Sequence, residues 1–420
     1  MKKRLLSLIL IATFAISAKA QTVTDTVSIG AGYTDQVWYS LENDEIKTVT
    51  GTSWDFGFQI NGFSAAILAN TAYGAELFTY PNGDTANWST LDTMGMNNWV
   101  AQHNPSTTWG QGAFNLGATS SFVDLGWGNY NTITHHVTGD SLFVWKTATG
   151  TIYKVWIQNL ASGTYNFLIS DYNGTNVDTV ALAKSNFSNR NFGYYSIAQD
   201  SVIDIEPVDS TWDVTFSKYI EDLGIPYSVS GIRTNAGIEA VQVYPVNNPA
   251  TYDSASVHTY SSEINTIGHD WKSFLFSCFC WDIADSTVYF VKTDSATYWK
   301  LVMTDFGGSS NGNFMFEKTK INNTATGLFE DKTNQNGSFM VYPNPSTEKN
   351  ISIVADLPES IRTAQLTILN INGQVVKDQQ LQINNSFDVL SIQLDDFKAG
   401  MYFIQLNHES GSITRRLILK

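Results

Sequence analysis

The step W-D-x-x-F occurs twice, as Trp54-Asp55 with Phe58 in GTSWDFGFQI and as Trp212-Asp213 with Phe216 in DSTWDVTFSK. Each copy follows a polar turn. Upstream of each lies a Tyr-Ser run, VWYSLENDEI and GYYSIAQDSV. Downstream, AAILANTAYGAE and SGIRTNAGIEA share an Ile-x-x-Asn step and then Gly and Glu. Further on, FVWKTATGTIYKVWI pairs with YFVKTDSATYWKLVM: Lys146-Thr147 precedes Lys154 as Lys292-Thr293 precedes Lys300, at the same distance. Self-similarity with a period of about 150 residues marks duplicated domains and excludes a short-repeat solenoid.

Short runs rich in Val, Ile, Thr, Tyr, Phe and Trp alternate with Gly, Asn, Asp and Ser clusters. That is the pattern of strands and turns. Aromatic residues make up 13% of the chain and charged residues only 15%, and no long stretch carries a helical period. The expected fold class is all-β, with antiparallel β-rich domains at 31–180 and 190–320. A polar, Asn-rich segment at 321–337, INNTATGLFEDKTNQNG, reads as a linker. Residues 338–420 read as a third, smaller β-domain. Asn372-Gly373 suits a two-residue hairpin turn there, and Gly400 breaks the chain before Met401-Tyr402-Phe403-Ile404.

Residues 1–20 read as a secretory signal. Lys2, Lys3 and Arg4 precede an apolar run from Leu5 to Ile16, and Ala18-Lys19-Ala20 places cleavage between Ala20 and Gln21. The run falls short of the ~20 residues that a membrane span needs. Loss of the four basic residues takes the formal charge from −15 to −19. Such an acidic surface disfavours nucleic acid and anionic membranes. Two cysteines, Cys278 and Cys280, lie in FLFSCFCWD. On a strand, residues i and i+2 share a face with near-parallel side chains, a poor geometry for a disulfide, so two buried apolar thiols are expected.

The last block resembles a known module. Tyr342-Pro343-Asn344-Pro345, LNINGQVV, LDDFKAGMYFIQL and a basic terminal strand ending in Lys420 are similar to the type A C-terminal sorting domain of the type IX secretion system of Bacteroidota. The resemblance implies a seven-stranded Ig-like sandwich. It also implies the secretion translocon and a sortase-like peptidase as partners, and delivery across the outer membrane to the cell surface or medium.

The duplicated part resembles the HmuY family of secreted haem-binding proteins, through VWYSLEN, SWDFGFQI, ILANT and SLFVWKTATGTIYKVWI and their second copies YYSIAQD, TWDVTFSK, IRTNAG and VYFVKTDSATYWKLVM. Haem-binding members use two axial histidines from separate loops, and some relatives use methionine. The resemblance implies haem or a related porphyrin as ligand. His135 and His136 are adjacent in a segment that reads as extended, so they point to opposite sides and at most one can ligate a given iron. His103 in VAQHNPSTTWGQGAF is the natural partner, with Trp99, Trp109, Phe114 and Trp127 nearby in sequence. Met94 and Met96 in TMGMNN are alternative soft ligands. His258 and His269 are weaker candidates, and His408 lies in the sorting tail.

No H-E-x-x-H or Walker motif is present. Gly308-Ser309-Ser310-Asn311-Gly312 matches G-x-S-x-G but reads as a hairpin turn without the strand-to-helix elbow. DYNGTNVD lacks the terminal bidentate Glu of a calcium loop. The chain is therefore expected to be non-enzymatic: a haem-capture protein or, alternatively, an adhesion or glycan/protein-binding protein on the same fold.

Overall fold

A computed structural model of the 420-residue chain describes residues 22–61, 65–119, 121–294, 297–322, 338–344, 346–347, 350–357, 360–370, 373–383, 387–408 and 411–420. The expected signal at 1–20, with its Ala20/Gln21 cleavage point, lies outside them, as do Asn372 and residues 323–337 of the expected linker. Ile321 and Asn322 close the strand Asn313–Asn322. The chain divides into two compact units, Met1–Ala325 and Thr326–Lys420. Both are all-β, and their described helical segments are single 3-10 turns.

The first unit holds two lobes of matching topology. Lobe A builds one sheet in the order Asp178–Ala183, Thr164–Asp171, Ile152–Ala161, Phe143–Lys146, Glu76–Thr79, extended by Ala101–Gln102. Lobe B builds its counterpart as Thr22–Ser28, Asn313–Asn322, Thr297–Phe306, Val288–Lys292, Glu239–Val243. Both sheets carry a register shift at the same place in the repeat, Ile157/Asn159 and Met303/Asp305. A four-stranded sheet completes each lobe: Ser201–Ile203, Phe192–Ser196, Phe56–Gln59 and Ile67–Ala69 in A, and Pro226–Thr234, Val214–Asp222, Asp35–Ser40 and Asp44–Thr50 in B. Alternation drives this. Along Asn313–Asn322, Phe314, Phe316 and Lys318 turn inward while Met315 and Glu317 are only half-buried. The two cores are separate, one around Phe56, Phe58, Trp145 and Phe167, the other around Tyr39, Phe216, Trp271 and Phe316.

The Tyr-Ser strand of each sequence repeat pairs with the W-D-x-x-F strand of the other. Tyr195 lies opposite Phe56, and Tyr39 opposite Val214. Lobe A is therefore continuous, from about residue 51 to 205, and it interrupts lobe B, which is made of 22–50 and 206–322. The expected boundaries at 31–180 and 190–320 cut across both lobes. Self-similarity fixes the period of a repeat but not its phase, and strand pairing sets the phase.

The shared motif residues hold these cross-pairings. Asp55 Oδ2 accepts the Ile197 amide at 2.7 Å, and Asp213 Oδ2 accepts the Leu41 amide at 2.7 Å. Asn70 Nδ2 donates to the carbonyls of Gly51 and Trp54, and Asn235 Nδ2 to those of Asp209 and Trp212. The Gly-Glu and Lys-Thr signatures meet as Lys146–Glu76 at 2.6 Å and Lys292–Glu239 at 2.9 Å.

The second unit has a three-stranded sheet (Ser338–Tyr342, Asn350–Asp356, Phe387–Gln393) and a four-stranded one (Val375–Gln382, Thr363–Asn370, Gly400–His408, Gly411–Leu419). Ile351 and Ile353 of the first share one core with Leu366, Ile368, Ile404 and Leu417 of the second. This is the seven-stranded sandwich that the tail's resemblance implies.

Candidate functional site

Where the lobes of the first unit meet, they enclose a cavity of ≈ 40 Å³. That volume accommodates a few waters or a small chemical group. The walls come from equivalent positions of the two repeats: Trp54 and Trp212 from the W-D-x-x-F steps, and Trp38 and Tyr194 from the Tyr-Ser strands. Both tryptophans are buried, each two residues ahead of the strand that its motif enters, Phe56–Gln59 and Val214–Asp222. Trp54 meets Tyr194 edge to face with centroids 5.0 Å apart.

The repeats differ where the cavity is charged. Leu68 in ILAN occupies the position that Arg233 takes in IRTN. Arg233 is buried; its Nη2 donates to Ser217 Oγ at 3.3 Å, and its guanidinium lies 4.5 Å from the Trp109 ring and 4.9 Å from that of Tyr219. Burial pulls its pKa down to about 10. Trp109 is itself fixed by donating Nε1 to the Thr234 carbonyl at 2.8 Å. Glu206 also lines the cavity. It accepts the amides of Asn191 and Phe192 and the Tyr194 hydroxyl, yet burial prevails and pushes its carboxyl up to about 7. Lys218 lies 4.9 Å over the Tyr73 ring, and burial lowers its pKa. Four buried donor-bearing atoms of the lining residues have no partner: Trp54 Nε1, Trp212 Nε1, Thr215 Oγ1 and Arg233 Nε. Buried polar atoms are normally satisfied, so a donor-rich cluster of this kind suits a small acceptor-bearing group.

The sequence-derived candidates lie elsewhere. His103 is half-buried, with Nδ1 3.1 Å from Thr71 Oγ1, and burial lowers its pKa. His135 has φ 57 and sits in the turn between Gly128–Tyr130 and Val137–Gly139, its Nδ1 2.7 Å from the Tyr130 hydroxyl. The expected extended geometry of His135-His136 is thus corrected: left-handed backbone at His135 breaks the strand before Val137. Met94 is exposed, whereas Met96 packs with Trp88 and Trp99 against a small cluster around Phe78 and Tyr80. His258 Nε2 meets the Tyr252 hydroxyl at 3.0 Å and His269 Nδ1 the Tyr219 hydroxyl at 3.4 Å. Ser309 and Ser310 lie in a 3-10 turn between two strands, as expected. Among the described residues no group of three or more His, Cys, Asp or Glu could hold a metal ion.

The cysteines are a second correction. Cys278 and Cys280 are exposed and joined by a disulfide, with Cα atoms 5.2 Å apart. Cys278 stands in the turn of a hairpin and Phe279 has φ 52, so the chain doubles back between them and the same-face rule for strands does not apply.

Sequence reasoning passed over Glu206 and Arg233. The signal for Arg233 was present: aligning ILAN with IRTN shows a charge replacing an apolar residue in a run that reads as strand. Nothing in EPVD singled out Glu206.

The molecule is thus an exported-type all-β protein, with a two-lobed unit followed by a seven-stranded sandwich. Residues 340–420 match the family of secretion-system C-terminal sorting domains. A chain carrying this domain is sent across the outer membrane to the cell surface or extracellular space. No curated protein matches the sequence significantly. Among solved structures, a polysaccharide lyase is 12% identical over 61% of this chain and 39% of its own, with TM-score 0.16. The chain therefore spans about two fifths of the lyase. Dimeric latent PorU from Porphyromonas gingivalis is 10% identical over 82% of this chain and 34% of its own, TM-score 0.17. A tetra-tandem repeat from the extending region of a large adhesion protein is 12% identical over 68% and 81%, TM-score 0.15. At TM-scores this low the likenesses carry no argument.

Proposed function

We propose that the protein is a non-enzymatic binding protein delivered to the cell exterior, and that its two-lobed unit captures an extracellular ligand through a small acceptor-bearing group seated in the inter-lobe cavity. The observation that carries this reading is the asymmetry of the cavity. Two otherwise matching repeats place Arg233, with an unpartnered Nε, where the equivalent residue is Leu68. A carboxylate-sized group would accept from Arg233 and the two indoles, with the aromatic walls shielding it from water.

Haem capture, which the HmuY-like features imply, is a second reading. One observation favours it: His103 and His135 both place Nδ1 against a hydroxyl, an arrangement that orients a ring for ligation through Nε2.

One set of titrations tests both. Calorimetry of the purified protein against short carboxylates such as acetate and lactate should give saturable heat that Arg233→Leu abolishes. Saturable heat that Arg233→Leu leaves unchanged, or no heat at all, would remove the cavity reading. Haemin titration with and without His103→Ala decides the second. A Soret shift at one equivalent that the substitution abolishes supports ligation, and an unshifted band ends that reading.

A further inference from the structure

The hairpin Lys272–Leu275/Cys280–Ile283 projects an apolar tip. From Ser273 to Trp281 there is no charged residue. Phe276 is 78% exposed and Phe279 80%, with Phe274 and Leu275 beside them at 37% and 39%. Soluble proteins seldom leave large neighbouring side chains in water without a use for them.

The tip is built to stay in shape. Its base is locked: Trp281 packs edge-on against Phe306 at 5.0 Å, and Lys272 Nζ lies 4.3 Å from the Trp271 ring and 4.6 Å from that of Phe306, donating to the Ser230 carbonyl at 2.7 Å. Gly308, at φ 61, clears the space for Trp281; a Cβ there would come within 2.6 Å of the indole nitrogen. At the summit Phe279 adopts φ 52, a conformation that bulky residues rarely take, next to the Cys278–Cys280 bridge. A disulfide persists in the oxidising space outside the cell. Rigid presentation of both rings lowers the ordering cost of burying them.

We infer that this disulfide-stapled tip inserts into the interfacial layer of an uncharged, zwitterionic lipid bilayer. Size and charge select that occupant. Four partly exposed side chains offer on the order of a few hundred Å², short of the roughly 1,200–2,000 Å² of a stable protein interface. Protein interfaces also carry many direct hydrogen bonds, and the tip's side chains between the serines Ser273 and Ser277 are wholly apolar. A bilayer needs no polar matching and no minimum interface; binding to it scales with the apolar surface buried, so a small tip suffices for reversible partition. The chain carries −15, and exposed Asp282 stands at the base of the hairpin, so an anionic lipid surface is repelled.

The test is sedimentation of the purified full chain with phosphatidylcholine vesicles and with vesicles enriched in phosphatidylglycerol. The expected result is saturable binding to phosphatidylcholine and weaker binding to the anionic vesicles. Phe276→Ser with Phe279→Ser should weaken partition roughly tenfold or more, while Phe276→Leu with Phe279→Leu should keep most of it. Circular dichroism confirms that the variants are folded. Absence of binding to phosphatidylcholine, a preference for the anionic vesicles, or equal partition by the serine variant overturns the inference; in the first case a protein pocket becomes the occupant to seek.

Discussion

Glu206 shows how one buried carboxyl records its surroundings. Three donors face it, yet burial holds its pKa near 7 against an ordinary 4.5. The folded chain therefore retains a proton between about pH 4.5 and pH 7 that the unfolded chain has released, and the group's contribution to stability declines as pH rises through that window. Asp55, pushed up to about 6 by burial, acts with the same sign. We expect the urea midpoint of the protein to fall between pH 4.5 and 7, by the equivalent of about 1–3 kcal/mol from Glu206 alone. Glu206→Gln, which mimics the protonated carboxyl, should flatten the profile. Urea titrations at several pH values check this, and an unchanged slope in the variant would mean that Glu206 is ionised throughout.

At the level of strands, lobe A carries every partner its sheets require, and lobe B does not without residues 22–50. A fragment spanning 51–205 should therefore unfold cooperatively by itself, at lower stability than in the intact unit because its cavity-facing side is uncovered. Residues 206–322 should be unfolded alone and gain β structure when a 22–50 peptide is added. Circular dichroism and denaturant melts decide; a stably folded 206–322 fragment would contradict the pairing. The strands themselves were readable in the sequence, since alternation and turn residues are local signals, and so were Lys146 and Glu76 as repeated features. The pairing of strands from different repeats was not, because pairing is non-local. The geometry of Cys278, Cys280 and His135 departs from expectation for a related reason: a left-handed residue, Phe279 or His135 itself, reverses the chain and erases the strand periodicity on which those expectations rest.

For the molecule as a whole, the C-terminal sandwich sets the destination and the two-lobed unit sets what is delivered. Deleting residues 338–420 should leave the remainder folded and trapped in the periplasm, as cell fractionation would show; surface display of the truncated protein would refute the role of the tail. In the delivered unit the opening strand lies along the closing strand, with Thr22 opposite Thr319. A short bridge could therefore join Asn322 back to Thr22, and the ring so formed could be opened after Thr50. The resulting circular permutant would place lobe A and then an unbroken lobe B in tandem, turning an insertion into two beads on a string without displacing a single ladder.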